Sequence, residues 1–575
     1  MDCSSSSELL ESPECAYKLL FKAASFIPKS HYACFLLFSF IVYIYNFLDF
    51  HFFEDAFNGF RGSPVSLTYN PSSKIYQDVV SKCRILHGRV LTTPWLSSPH
   101  IQTTFLNFFG RPPTVTYRRQ LYHATDGGTM ALDWLLKSDV LGDGRFKDNS
   151  IHKDDMTPIV IIIPGLTSDS TSPYLKHLAW GTAKSGWNAV ITNHRGLGGI
   201  SVTSDCFYNA GWTEDIREVI HYLHREYTRA PLFVIGTSIG ANILVKFLGE
   251  DGENIPIGGA VAICSPWDLL IGDRFISRKL VQKLYDRVLA IGLQGYAKLH
   301  ETHYTRLANW EGIAKSRSIR DFDNHATCLV GKYETVDTFY RHCSSSSFVA
   351  NVSVPLLCIS ALDDPVCTKE AIPWDECRVN KNIVLATTKH GGHLAFFEGP
   401  TASSLWWVRA TCEFLSILSS SSHMHIQKKT KSTETCGSSS SFNQGPYLNV
   451  TDDGMVAAAA VGKELTSGVR KFQQTTLTTS DDSTSSEEEA IFVVNKESKK
   501  KTTNNHRATA KDNNTKQLEI LSRMRQHFDR LVRKNKGSLW LLAYIAVLST
   551  WPLLGTALHY IFKRKLKNPT PLLKS

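Results

Sequence analysis

The stretch LFVIGTSIGANILVKFL, residues 232–248, decides the fold. Its first four residues are large and apolar, as in a buried strand, and Gly-Thr-Ser-Ile-Gly follows them directly. A stretch of helical character begins at Ala241, immediately after the second glycine. The pattern therefore predicts a buried strand, a sharp turn centred on Ser238, and a helix.

Short β-branched runs of the same kind recur through the region from about residue 90 to 418. The six runs lie at 158–163, 188–193, 232–235, 260–264, 356–360 and 383–387, with helical stretches that include 174–184, 214–227 and 241–248 between them. Apolar strands that alternate with helices predict a mostly parallel sheet with helices on both faces. The gap between Trp267 and Val354 is too long for one crossover helix, and it predicts a helical cap at about 267–354.

The predicted turn at Ser238 has the features of a nucleophilic site. Gly236 and Gly240 permit a cramped connection that lifts the Ser238 hydroxyl above the sheet, and the following helix offers free N–H groups and a positive dipole end. Serine at its ordinary pKa is a poor nucleophile, so a base and an orienting acid must follow. In such sites the chain order is serine, acid, histidine, with each residue just past a strand end.

Two carboxyls and two histidines occupy the expected positions. Asp363 and Asp364 follow the fifth run, and His390 and His393 follow the sixth. Asp364 is preferred as the acid because it directly precedes the Pro-Val pair that should start the next segment. His393 is preferred as the base because the two glycines before it let the backbone bring it back over the turn. Asp363 and His390 remain the alternatives.

A tetrahedral intermediate also requires two backbone donors. One predicted donor is the N–H of Ile239, at the start of the helix after the turn. The other is the N–H of Leu166, in the loop that follows the run at 158–163. A strand that ends in Pro-Gly, as this one does, is also ordinary turn chemistry, so this second assignment has a structural alternative.

Ten sequence blocks between residues 90 and 415 resemble the α/β-hydrolases that include membrane-anchored mammalian abhydrolase-domain lipases, plant embryogenesis-associated proteins and bacterial esterase relatives. The blocks are Pro-Trp-Leu at 94–96, Pro-His-Ile-Gln-Thr at 99–103, Asp-Gly-Gly at 126–128, Leu-Asp-Trp at 132–134, Asn-His-Arg-Gly at 193–196, Gly-Ala-Asn-Ile-Leu-Val-Lys at 240–246, Ser-Pro-Trp-Asp-Leu at 265–269, Asp-Phe-Asp at 321–323, Asp-Asp-Pro at 363–365 and Gly-Gly-His at 391–393. Their number and order make the resemblance specific.

The resemblance implies an α/β-hydrolase fold with a mostly parallel eight-stranded sheet, and a serine hydrolase that cleaves carboxylic esters. Family members act on acylglycerols, phospholipids or short-chain esters, and no cofactor or metal is expected. The roles of nucleophile, acid and base carry over to Ser238, Asp364 and His393.

One block departs from the family. The oxyanion loop there usually has His-Gly-Leu-Thr-Gly, whereas residues 164–168 are Pro-Gly-Leu-Thr-Ser. Backbone groups are the donors, so the role of the loop can survive the change. Two alternatives remain: an acyltransferase that uses the same three residues with an alcohol acceptor, and a non-catalytic binding protein with this fold.

Two apolar segments predict membrane helices. Residues 30–48 are 19 positions without a charged side chain, which is just enough to span a bilayer. Residues 537–562 are also free of charge and extend for about 39 Å as a helix, so tilting is expected. Helical spacing of apolar residues at 517–536, with arginines on other faces, predicts a basic amphipathic helix against anionic lipid. The alternatives are a core helix, a re-entrant wedge and a solvated helix, respectively.

These features give a predicted organisation in eight parts. It comprises an N-terminal segment 1–29, a transmembrane anchor 30–48, a connecting segment 49–89, the hydrolase domain 90–418, a disordered Ser/Thr-rich linker 419–516, a basic amphipathic helix 517–536, a transmembrane helix 537–562 and a basic tail 563–575. The linker is too polar to bury enough apolar area to offset its ordering entropy.

The net charge of +10 resides in the C-terminal part of the chain. Residues 428–575 hold 24 Lys and Arg against 13 Asp and Glu, which leaves a balance of −1 for the first 427 residues. We therefore expect the basic part to meet a membrane surface and predict no nucleic-acid partner. A nearly neutral catalytic region suits an uncharged or zwitterionic lipid or small ester. The thirteen cysteines form no CxxC pair, which favours free thiols.

The predicted location is a membrane, with an endomembrane such as the endoplasmic reticulum as the candidate. Lys18, Lys22 and Lys29 precede the first apolar segment, and the next basic residue after it is Arg61. This distribution favours a cytosolic N-terminus with the hydrolase domain across the membrane. The second apolar segment is basic on both sides and does not discriminate.

Overall fold

The computed structural model describes residues 28–142 and 151–427. Nearly all of the predicted N-terminal segment and of the predicted linker lie outside the described residues, as do the basic amphipathic helix, the second apolar segment and the basic tail.

A nine-stranded sheet forms the centre of the described part of the chain. Its strands are β1 Ser66–Tyr69, β2 Arg118–His123, β3 Thr129–Leu135, β4 Ile159–Ile163, β5 Asn188–Asn193, β6 Leu232–Thr237, β7 Gly259–Ile263, β8 Leu356–Ala361 and β9 Ile383–Thr388. Their order across the sheet is β1-β9-β8-β7-β6-β4-β5-β3-β2. The six runs predicted from the sequence are β4 to β9.

The middle of the sheet is parallel and its two edges are antiparallel. Every neighbouring pair from β9 across to β5 is parallel, whereas β3 and β2 continue from β5 as an antiparallel hairpin. The eight strands that the resemblance implies are all present. The ninth is β1, which pairs antiparallel with β9 so that Tyr69 lies opposite Val384. The sequence predicts no strand at these four residues.

Helices cover the sheet and fill the long connections. They are α1 Lys29–Phe47, α2 Phe52–Phe57, α3 Lys74–Asp78, α4 Pro99–Phe108, α5 Lys137–Leu141, α6 Pro173–Lys184, α7 Glu214–Glu226, α8 Ile239–Asp251, α9 Leu269–Ile276, α10 Leu280–Leu299, α11 Glu301–Leu307, α12 Trp310–Lys315, α13 Ile319–Phe322, α14 Cys328–Val330, α15 Val336–Cys343, α16 Trp374–Val379 and α17 Trp406–Ser419. A π-helical turn, Asp323–Thr327, joins α13 to α14.

The strands β3 to β9 are buried on both faces, as the near-continuous apolar runs of β4 to β9 require. In β4, Val160 and Ile162 belong to one core cluster, while Ile159, Ile161 and Ile163 belong to the cluster on the other face. All five residues of this strand are buried. A strand with this environment has no polar face, which is why apolar runs rather than alternation mark it in the sequence.

Helices α9 to α15 occupy the interval between β7 and β8, where the sequence predicts a cap. This region has an apolar cluster of its own, in which Leu293 and Tyr296 of α10 take part. The same cluster includes Leu197 and Phe207, from the connection that follows β5. The helices therefore pack on loops at the carboxyl edge of the sheet.

Helix α1 is long and apolar enough to cross a membrane, by length and composition. None of its residues is buried against the protein. Leu48 and the residues after it turn back to the domain: the His51 N–H donates to the Ser97 carbonyl at 2.9 Å, and the Ser98 hydroxyl donates to the Leu48 carbonyl. We call residues 48–57 the juxtamembrane segment.

Candidate active site

Ser238 occupies a sharp turn between β6 and α8. Its φ of 53° is a backbone conformation that is unfavourable for residues with a side chain. Its N–H donates to the Ile263 carbonyl at 2.8 Å. Gly236 and Gly240 are required because other backbone atoms approach both positions too closely for a side chain. A Cβ on Gly236 would lie 2.5 Å from the Gly240 carbonyl oxygen, and a Cβ on Gly240 would lie 2.4 Å from that of Pro164. This is the predicted strand, turn and helix.

The structure brings Ser238, His393 and Asp364 together. The Ser238 Oγ lies 3.0 Å from His393 Nε2, and His393 Nδ1 lies 2.9 Å from an Asp364 carboxylate oxygen. A carboxylate only accepts, so Nδ1 carries the imidazole proton and Nε2 is left to accept from the hydroxyl. The Asp364 residue is 5% exposed, and its carboxylate also accepts the N–H groups of Val366 and Cys367, each at 2.8 Å.

The two alternative residues pair with each other instead. His390 Nδ1 lies 3.2 Å from Asp363 Oδ2, and the Gly392 N–H donates to Asp363 Oδ1 at 3.0 Å. The geometry therefore favours Asp364 over Asp363 and His393 over His390 as partners of Ser238. The sequence leaves a choice between two aspartates and a choice between two histidines. In the structure all four residues are paired, His393 with Asp364 and His390 with Asp363.

The loop with Leu166 lies against Ser238. A Cβ on Gly165 would lie 3.3 Å from the Ser238 Cβ. The Gly165 N–H donates to the Tyr174 hydroxyl at 2.8 Å, and the Thr167 N–H donates to the Tyr208 hydroxyl at 3.1 Å. Between them, the Leu166 N–H has no acceptor within the described ranges. The Ile239 N–H opens α8, where the first N–H groups have no intrahelical acceptor.

Comparison with known proteins gives the family. The model for the alpha/beta hydrolase fold matches residues 158–400. The embryogenesis-associated protein EMB8 of Picea glauca is 34% identical over 350 residues, which cover 60% of this chain and 75% of that protein. The chain belongs to the α/β-hydrolase family. Its predicted family and fold are thereby confirmed.

Other relatives of this hydrolase have names that state an activity. Phospholipase ABHD3 of Homo sapiens is 30% identical over 329 residues, covering 57% of this chain and 77% of that protein. The monoacylglycerol lipase of Saccharomyces cerevisiae is 26% identical over 356 residues, covering 56% and 79%. Ester hydrolase, the enzyme class that the sequence predicts, is the class of these relatives.

Buried aromatic residues hold the loop of residues 164–168, the predicted oxyanion loop, and they are not among the residues predicted from the sequence. Burial raises the pKa of the Tyr174 and Tyr208 hydroxyls, so both stay protonated. His194 stacks on Tyr208 with 4.3 Å between ring centroids, and its Nε2 lies 3.0 Å from the carbonyl oxygen of Pro164, the first residue of that loop. Burial lowers the pKa of His194 to about 4, so the ring is neutral and donates this bond. His194 lies in a recognised block, whereas no local pattern marks the tyrosines.

Two groups of side chains in this α/β-hydrolase place possible metal ligands within 4.8 Å of one another. The groups are His51, Asp55 and His390, and Cys264, Asp364 and His393. In the first group the imidazole planes are 8° from parallel, so the in-plane lone pairs of His51 and His390 do not converge on one point. In the second group the histidine and the carboxylate already bond to each other. Neither group presents converging ligands to an ion.

The cysteines near the site are free thiols. All ten cysteines in the described ranges are free, as the sequence predicts for most of them. Burial, with Asp364 beside it, raises the pKa of the Cys264 thiol well above its usual value. Burial likewise raises that of Cys367. Both thiols therefore stay protonated and inert beside the carboxylate.

Proposed function

We propose that this chain is a membrane-associated serine hydrolase that cleaves carboxylic esters through an acyl-enzyme on Ser238. The observation that carries the proposal is the unbroken series of contacts from the Ser238 hydroxyl through His393 to Asp364, at 3.0 and 2.9 Å. A hydroxyl, a neutral imidazole and a buried carboxylate in this order form the general arrangement for activating a serine.

In the acylation step the Ser238 Oγ attacks the ester carbonyl carbon while His393 Nε2 takes the hydroxyl proton. Asp364 fixes the tautomer of His393 and stabilises the imidazolium that forms. The carbonyl electron pair moves to the oxygen and then returns, which breaks the bond to the leaving alkoxide. His393 gives its proton to that alkoxide, and an alcohol departs.

The negative charge on the tetrahedral oxygen is stabilised by the N–H groups of Leu166 and Ile239. The positive dipole end of α8 adds to this stabilisation. Water then attacks the acyl-enzyme with His393 as the base, and the carboxylic acid leaves as Ser238 regains its proton. This second half of the cycle makes the reaction a hydrolysis.

The proposed substrates are lipid esters, namely acylglycerols or phospholipids, or smaller esters of similar polarity. The names of the relatives support a lipid substrate, since one is a phospholipase and another a monoacylglycerol lipase. The balance of −1 over residues 1–427 suits an uncharged or zwitterionic head group.

The proposed location is a membrane, with α1 as the anchor. The helix is apolar and none of its residues is buried, and the juxtamembrane segment returns directly to the domain, so the site would lie close to the lipid from which substrate would come. The sequence adds the charge distribution that favours an endomembrane orientation with the domain across from the cytosol.

The test is labelling of the purified full chain with a fluorophosphonate, followed by product analysis. Ser238→Ala should abolish both labelling and ester cleavage, while Ser277→Ala, at an exposed position in the cap, should leave both unchanged. Failure of the folded, unmutated protein to label would contradict the proposal. Acyl transfer to an added alcohol in place of hydrolysis would make the enzyme a transferase.

A further inference from the structure

Next to the proposed triad the structure holds a second histidine–carboxylate pair, His390 with Asp363, and the juxtamembrane segment packs on it. We propose that His51 is a positioning residue for the reaction: through His390 and Asp363 it fixes the loop of residues 389–393 that presents His393 to Ser238. This inference rests on the proposed function of Ser238 and His393, and it adds a role for the segment that follows the apolar helix.

The first observation is the environment of His51. The residue is 6% exposed, and neither ring nitrogen makes a hydrogen bond within the described ranges. Its ring stacks face to face on His390, with 3.6 Å between centroids. The 3.3 Å approach of Asp55 to His51 Nε2 lacks hydrogen-bond geometry. A buried imidazole that uses neither nitrogen contributes a flat surface rather than a polar contact.

The charge state of His51 agrees with this role. Burial, and then the positive charges of His390 and Lys389, lower the pKa of His51 to about 3, so its ring is neutral at physiological pH. Two charged rings stacked at this separation would repel each other. His51 therefore acts as an aromatic plate, and a phenyl ring should replace it.

The second observation is the path from His390 to the base. Asp363 accepts from His390 with one oxygen and from the Gly392 N–H with the other. Gly392 has a φ of +56°, and a Cβ there would lie 2.8 Å from the Pro99 carbonyl oxygen. The next residue is His393, whose N–H donates to Thr103 Oγ1 at 3.0 Å. Asp363 thus fixes the backbone immediately before the base.

The third observation is that further contacts join the juxtamembrane segment to the loop of residues 389–393 and to α4. Glu54 of the juxtamembrane segment pairs with Lys389 of the base loop. Asp49 approaches His100 Nε2 at 3.4 Å, and α4, which contains His100, also contains the Thr103 that binds His393. The exit from the membrane helix and the loop of the catalytic base therefore form one contact surface.

The experiment compares three substitutions of His51 in the full chain in detergent, using a water-soluble short-chain ester. We expect His51→Ala to lower kcat by about 10- to 100-fold, because small displacements of a catalytic group have effects of this size, with KM within about twofold. The fluorophosphonate labelling rate should fall in parallel. His51→Phe keeps the stacked ring and should stay within about threefold of the unmutated enzyme. His51→Leu fills the space without a flat ring and should resemble the alanine variant, and it remains usable if alanine prevents folding.

Phe57→Ala is the matched control, because Phe57 lies in the same segment but is 89% exposed. It should leave kcat unchanged. A second measurement uses Asp363→Ala, alone and with His51→Ala. If both act through one path, the double variant should lose little more than either single variant.

The inference is overturned if folded His51→Ala or His51→Leu labels and turns over within about twofold of the unmutated enzyme. It is also overturned if His51→Phe is as slow as these variants, or if the effects of His51 and Asp363 add in full. An unmutated enzyme that neither labels nor turns over would instead contradict the proposed function of Ser238. A lowered melting temperature with unchanged kcat would show a structural role alone.

Discussion

Ser238 holds a backbone conformation that is costly for a residue with a side chain, and its neighbours stabilise it. The φ of 53° and ψ of −122° place the hydroxyl above the sheet edge. The bond from its N–H to Ile263 and the two glycines on either side keep the turn in this form. Strain of this kind persists at functional sites because the surrounding structure determines it.

At the same scale, the two aspartates should differ sharply on conversion to asparagine. Asp364→Asn replaces the carboxylate that selects the tautomer of His393, so we expect kcat to fall by about 10³- to 10⁴-fold. Asp363→Asn keeps an acceptor for the Gly392 N–H and should cost far less. Steady-state kinetics on a short-chain ester measures both. Equal losses in the two variants would contradict the assignment of Asp364 as the triad acid.

Removing the tyrosine hydroxyls that hold the oxyanion loop should also slow the reaction. Tyr174→Phe and Tyr208→Phe each release one N–H of the loop that carries the Leu166 donor, so we expect kcat to fall by about 3- to 30-fold with KM little changed. Tyr122→Phe serves as the control. Tyr122 lies on the edge strand β2, and its hydroxyl donates to Glu218 of α7. A change confined to KM would show that the tyrosines act on substrate binding instead.

How far these residues could be predicted depends on how local their signals are. Ser238 is marked by the strand, glycines and helix around it, and His393 by its place after the last predicted strand. His51 could not be found in this way, because its partner His390 is more than 300 positions away in the chain. Tyr174 and Tyr208 are likewise ordinary core residues until the folded chain brings both hydroxyls against one loop.

At the scale of elements, an uninterrupted apolar run decides which strands the sequence predicts: β3 is also buried along its whole length, but Thr129 and Asp133 break its apolar pattern. β4 to β9 are covered on both faces and appear as apolar runs, with predicted ends within two residues of the observed ones. β2 alternates between half-buried and exposed positions, and the sequence reasoning took no strand from it. The cap interval was predicted by its length alone, so its separate helices could not be placed.

Two buried carboxyls in the cap should make its stability depend on pH. Burial raises the pKa of Asp286 and of Asp323 to about 6, and the nearby charge of Asp273 raises the pKa of both further. A pKa raised on folding stabilises the folded state at low pH, and this contribution is lost as pH rises from about 4 through 6. Each neutral carboxyl accepts a hydrogen bond, as an amide oxygen could.

We therefore compare the melting temperature of Asp286→Asn with that of the unmutated protein at two pH values. The difference in favour of the variant should be a few degrees larger at about pH 8 than at about pH 5. Asp286 accepts from the Ile319 N–H at 2.7 Å, a bond that the amide oxygen of asparagine can keep. Thermal unfolding of both proteins at the two pH values measures the difference. A difference that does not change with pH would show that this carboxyl does not titrate in the folded cap.

At the scale of the whole molecule, the charge division and α1 give a prediction of topology. The lysines before the apolar segment favour a cytosolic N-terminus, which would place the hydrolase domain across the membrane. We expect an epitope inserted at residues 430–500 to be protected from protease in sealed vesicles and digested once detergent opens them. The same epitope digested in intact vesicles would reverse the orientation, and an epitope before residue 29 provides the complementary control.

The pairing of β1 with β9 has a consequence for biosynthesis. Tyr69 leaves the ribosome early, whereas its partner Val384 follows more than 300 residues later, a delay of about 15–60 s at ordinary elongation rates. The chain segment next to the membrane must wait for almost the entire domain before it can complete the sheet. In a truncated chain that lacks residues 66–69, the edge of β9 would remain open to pairing with other chains. Completion of the enzyme therefore depends on joining the earliest and latest parts of its domain.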